Sequence, residues 1–108
     1  MLEFKVMSVI GEDDGLGGWI ETTVISYEGL GYLDMLTGTN QHTIQNAITE
    51  QSTHILICDW FQDYRQKITD KMIVEMDGRS YRITYVDNPV NANSHLEVYL
   101  KFDGDLDD

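Results

Sequence analysis

His42, His54, His95 and Cys58 are the residues of this chain best suited to nucleophilic or zinc chemistry. His54 and Cys58 are four apart in an apolar run. On a strand they share a face about 13 Å apart, too far to hold one metal ion. A couple of Cys58 with His42 or His95 needs a proximity that spacing does not supply, so structural roles are expected. Asp103, Asp105 and Asp107 imitate the opening of a calcium loop, but Asp108 stands where that loop needs glycine. Glu12, Asp13 and Asp14 are consecutive, and neighbours in a loop do not converge on a cation without partners; a solvated turn is expected. Gly15-Leu16-Gly17-Gly18 lacks the lysine and hydroxyl residue of a phosphate loop. For Trp19, Trp60 and the tyrosines, core or interface roles are expected over base stacking. The pattern points away from an enzyme and implies no cofactor.

Charge narrows the classes further. The 108 residues carry 7 bases and 19 acids, a net charge of −12, with 42% apolar residues. That composition suits one folded domain and is too apolar for disorder. Nucleic-acid binders need a basic stripe that this chain lacks, and anionic membranes should repel it. The single cysteine excludes an internal disulfide framework and suits a reducing cytoplasm. No apolar run approaches the roughly 18 residues of a membrane span, and no signal peptide is expected from the alternating start MLEFKVM. Residues 1–54 hold eight acids against Lys5 alone, and no base occurs between Lys5 and Arg65. Such a segment cannot pair its own carboxylates. It is either a solvating face or a face meant for a partner's bases, or it lines a space that polyanion must pass without sticking.

The elements that must position these residues read as strands. Leu2, Phe4, Val6 and Ile10 keep one parity, the period of a half-buried strand. Residues 11–18 should form a loop. Trp19 to Tyr27 is β-branched and aromatic, Gly29 and Gly31 are expected to interrupt it, and Tyr32 to Leu36 reads as a further short strand. Residues 37–51 are polar, with a short helix suggested by Ile44, Ala47 and Ile48, and read as a long mobile loop of functional kind. His54 to Trp60 should be a central strand covered on both faces. Asp77-Gly78 predicts a type I′ hairpin pairing Met76 with Arg79, Val74 with Tyr81 and Met72 with Ile83. Its inward face would hold Met72, Val74, Tyr81, Ile83 and Tyr85, with Ile73 and Val86 breaking the pattern. Asp87-Asn88-Pro89 ends the second strand. Leu96, Val98, Leu100 and Phe102 should point inward from the last one. The expectation is an all-β antiparallel barrel or sandwich of six or seven strands over residues 1–102, with an acidic tail at 103–108.

The motifs from Ser52 to Gly104 carry a resemblance: STHILICDW, then KMIVEMDGRSYRITYVDNP, then SHLEVYLKFDG. With Gly17-Gly18-Trp19 and Gly31-Tyr32-Leu33-Asp34, they resemble the head-closure or head–tail joining proteins of long-tailed bacteriophages and related prophage elements. The resemblance implies a small β-barrel that assembles as a homo-oligomeric ring in the virion neck after synthesis in the host cytoplasm. The ring would sit below the portal and adaptor, extend the DNA channel, help retain packaged double-stranded DNA and offer the tail a docking surface. It also implies a loop projecting toward the channel. By position that loop is residues 37–51, with Thr39, Asn40, Gln41, His42, Thr43, Gln45, Asn46 and Glu50 its polar groups.

Neutral polar groups would meet DNA without the counterion release that traps it. Ring contacts are head-to-tail, so two complementary faces are needed. The acid-only segment, densest at Glu12, Asp13 and Asp14, would meet the mixed segment holding Arg65, Lys67, Lys71, Arg79 and Arg82. Two other readings stand beside this one: a tail-completion or tail-terminator protein of the same connector, and an acidic DNA mimic that inhibits a host nuclease.

Overall fold

Asp77 and Gly78 adopt φ of 54° and 73°, the paired positive values of a type I′ turn. The turn joins β4 (Ile73–Met76) to β5 (Arg79–Asp87), with Met76 opposite Arg79 and Val74 opposite Tyr81. Beyond that ladder, Ile83 exchanges bonds with two residues, accepting from Lys71 N–H and donating to the Met72 carbonyl, each at 2.8 Å. The computed structural model describes residues 1–36 and 52–106. The other strands are β1 (Leu2–Asp13), β2 (Trp19–Met35), β3 (His54–Asp59) and β6 (His95–Asp105). One helical turn, α1 (Tyr64–Lys67), follows β3, and Pro89–Asn91 forms a 3₁₀ turn after β5.

All pairings are antiparallel, and the six strands close in the order β1-β2-β3-β6-β5-β4. The protein is an all-β barrel. Its interior is filled by Phe4, Val6, Leu56, Val74, Tyr81, Ile83, Leu96, Val98 and Leu100, each no more than 1% exposed. Tyr64 and Ile68, in and just after α1, are also buried and belong to the same cluster. Burying side chains of this size contributes about 1.5–3 kcal/mol each.

Six sequence expectations are corrected. Gly29 and Gly31 do not break β2, which runs unbroken for 17 residues. A Cβ on Gly31 would lie 2.8 Å from the Ile57 carbonyl oxygen and from Leu56 Cδ1. Glycine is there for the close approach of β3, not to end a strand. Second, the expected loop at 11–18 is shorter, because β1 continues through Gly11, Glu12 and Asp13. Third, the register of β5 against β6 shifts between Ile83 and Tyr85. That bulge turns Tyr85 outward, 43% exposed, and brings Val86 against the core. The Thr84 hydroxyl at the bulge donates to the Tyr99 carbonyl at 3.1 Å and lies 2.7 Å from Ser52 Oγ. Fourth, Phe102 sits on the rim, 40% exposed, edge-on to Tyr81 at 5.7 Å. Fifth, Asp103 to Asp105 belong to β6, with Asp105 opposite Arg79, so the ladder reaches into the expected tail. Sixth, β3 is paired on both edges, yet its outward Ile55 and Ile57 are only half-buried among the described residues.

β1 and β2 outrun the barrel. β1 contacts β4 only from Phe4 to Met7, and β2 contacts β3 only from Gly31 to Met35. Beyond Met7 the two strands pair only with each other, as far as Asp13 opposite Trp19. By strand rise this arm is about 20 Å long. It explains extents of 51 × 29 × 28 Å. It also explains a radius of gyration of 15.1 Å, against about 13 Å for a compact chain of this length.

Candidate assembly surface

The arm leaves the barrel at a bulge between Val6 and Met7, opposite which Ser26 is the extra residue. Its base is fixed by two contacts. Ser26 Oγ donates to the Lys67 carbonyl at 2.7 Å, and the Tyr27 ring stacks on Phe61 with centroids 4.2 Å apart. At the far end the acids build the turn. Asp13 Oδ1 accepts from Gly15 N–H at 2.8 Å. Asp14 Oδ1 accepts from Leu16 N–H at 2.7 Å and Gly18 N–H at 2.9 Å. Those two amides hold the Asp14 carboxyl below its ordinary 3.8. Asp13 and Asp14 therefore shape the tip, while Glu12 lies in register with Ile20 on one face of the ribbon.

Strand pairing sorts the arm into two faces. Val9 with Thr23, Met7 with Ile25, Gly11 with Glu21 and Asp13 with Trp19 share one face. Ser8 with Val24, Ile10 with Thr22 and Glu12 with Ile20 share the other. Neither is covered: Val9, Ile10 and Ile25 are each 50% exposed and Trp19 is 68% exposed. The Trp19 indole lies across Gly11, where a Cβ would come within 2.3 Å of Nε1. A two-stranded ribbon with no covered face is marginal in water, and an exposed tryptophan among β-branched residues has the composition of an interface.

The cations lie elsewhere. Lys5 sits in register between Glu28 and Glu75. Arg79 is paired with Asp105 at 3.5 Å and stacks over Phe102 at 5.9 Å. Arg65 lies on α1 with Nε donating to Tyr64 Oη at 3.0 Å, beside an open groove of about 450 Å³ also lined by Ile68, Tyr85 and Asp87. Lys67 ends α1, and Lys71 precedes β4 with φ of 72°. Arg82 stands opposite Lys101 on one side and Ile73 on the other. These two exposed like charges are cross-strand neighbours with no acid in their row, and such pairs are destabilising. The expected acidic and basic sets are thus on different parts of one chain: tip and barrel wall. The sequence singles out Trp19 as a core or interface residue, but not Lys101 or the other apolar arm residues as parts of a surface. The signal for the arm was present in Trp19 to Ser26, where apolar residues occupy both parities.

Among the described residues the chemistry-bearing groups do not converge. Burial pushes the Cys58 thiol up to about 11, which suppresses thiolate formation. Burial, and then Arg79, lower the His54 pKa; its Nδ1 lies 2.8 Å from Thr53 Oγ1. His95 pairs with Glu97 at 3.3 Å. Among the described residues, no three His, Cys, Asp or Glu side chains are grouped as a metal site would need, and no helix is long and apolar enough to cross a membrane. The expected channel-loop residues Thr39, Asn40, Gln41, His42, Thr43, Gln45, Asn46 and Glu50 lie outside the described residues, as does Asp107. In comparisons with known proteins, no family model and no curated protein matches the sequence.

Proposed function

We propose that this chain is a structural subunit of a tailed-bacteriophage neck. It forms a ring below the portal and adaptor, lengthens the DNA channel, helps hold packaged DNA and receives the tail. The observation that carries this reading is that the strands bearing the resembling motifs are neighbours in the barrel. The resembling motifs fall on β3, on the β4–β5 hairpin and on β6, which are contiguous in the barrel as β3-β6-β5-β4. The charge agrees with the task, since a chain of net −12 does not grip phosphate. In this role residues 37–51 are the segment nearest DNA, and the partners are copies of the chain, the adaptor above and the tail-completion protein below.

Electron microscopy of particles made without this chain tests the proposal. Full heads that leak DNA and never join tails are expected. Normal infectious particles would overturn it. Filled heads that keep their DNA but carry ragged or overlong tails would assign the chain to tail completion instead.

A further inference from the structure

We propose that the β1–β2 arm is the donor half of a head-to-tail contact between copies, and that its receptor is the outer wall of β5 and β6 around Arg82 and Lys101. The donor face carries Val9, Trp19, Glu21 and Ile25. Three observations point to a second copy as the occupant. The arm buries neither of its faces, so the ribbon lacks the third layer that two strands need in water. Residues 7–25 hold no base, and the donor face carries Glu21, whereas Arg82 and Lys101 form a like-charge pair with no acid in their row. Each surface supplies what the other lacks. Finally, the outward Tyr85, one step along the same wall, gives Trp19 an aromatic neighbour to pack on.

The two surfaces differ, so the contact is heterologous: each copy uses its arm on one neighbour and offers its wall to another. Such contacts propagate into a ring or an open filament. This deepens the neck reading by naming the ring contact, and it rests on that reading for closure alone. Self-association itself needs no phage particle.

Sedimentation velocity of the purified full chain, taken to millimolar concentration, tests it. Three samples are compared: wild type, an arm variant Trp19→Ala/Glu21→Gln, and a wall variant Arg82→Gln/Lys101→Gln. Wild type should form species that grow beyond a dimer with concentration. Each variant alone should weaken association by roughly thirtyfold, the loss that removal of a tryptophan or arginine anchor brings. The equimolar mixture of variants should stop at a dimer, since it holds one intact arm and one intact wall per pair. The wall variant loses a like-charge repulsion and should melt no lower than wild type, so a folding defect does not mimic the result. A wild type that stays monomeric throughout overturns the proposal. So does a variant that associates like wild type, or a mixture that stays monomeric. Binding of a DNA duplex that is lost in the wall variant while wild-type association is unchanged in it assigns the cations to DNA and overturns it too. None of these failures touches the particle experiment, which reads DNA retention and tail joining.

Discussion

The same two strands behave differently at their two ends. In the barrel half of β1, Phe4 and Val6 are 1% and 0% exposed; a few residues on, Val9 and Ile10 are each 50% exposed. The residue types hardly change. What changes is the number of strands alongside, from two neighbours to one. Apolar β-sequence is therefore not a measure of core. A β-branched residue is stabilised only where another layer or strand takes the surface it presents. The barrel provides that layer within one chain, and the arm waits for it.

Substitutions sharpen this contrast. Leu56→Ala, at 0% exposure in the barrel, is expected to cost about 2–5 kcal/mol in chemical denaturation. Ile10→Thr, half-exposed on the arm, should stay within about 0.5 kcal/mol of wild type. Equal losses at the two positions would mean that the arm is covered in the monomer. Gly31→Ala comes next. Its Cβ meets the Ile57 carbonyl oxygen and Leu56, so β2 and β3 must part, at about 1–3 kcal/mol by the same assay.

Tyr81→Phe should run the other way. Its hydroxyl is buried without a hydrogen-bond partner among the described residues, so its removal is expected to leave the melting temperature unchanged or raise it by a few degrees. A clear drop would reveal a partner for that oxygen. The smallest effect is at the tip. The Asp14 carboxyl is held below 3.8 by the Leu16 and Gly18 amides, so its contribution is complete above about 3.8 and fades as pH falls through the lowered value. Amide exchange at Leu16 and Gly18 should quicken over that acid range while the amides of β3 stay protected. Uniform quickening across the chain would break the distinction between arm and body.

Asp-Gly with alternating strands was legible from the start, because a turn type and a two-residue period are local properties of the chain. From them came the hairpin register, the all-β class and most of the inward set. Tyr85 departs from its expected side because one extra residue in a ladder inverts every parity beyond it, and bulges depend on what two distant strands demand of each other. Phe102 keeps its side, opposite Tyr81, and is exposed only because the barrel ends there. Gly31 was misread for a related reason: a missing Cβ looks the same in sequence whether it serves a turn or a close approach.

The acidic run Glu12-Asp13-Asp14 stood out by charge alone. That Asp13 and Asp14 are occupied in shaping a tip, while Arg82 and Lys101 stand together without an acid, needed the folded ladder. Composition and periodicity determined what kind of layer this chain builds, since they act over a few residues at a time. Barrel closure, the length of the projecting arm and the meeting of two cations separated by 18 intervening residues were decided by tertiary pairing. Which strand lies beside which is a property of the whole chain, set by how the longest-range contacts close around one core.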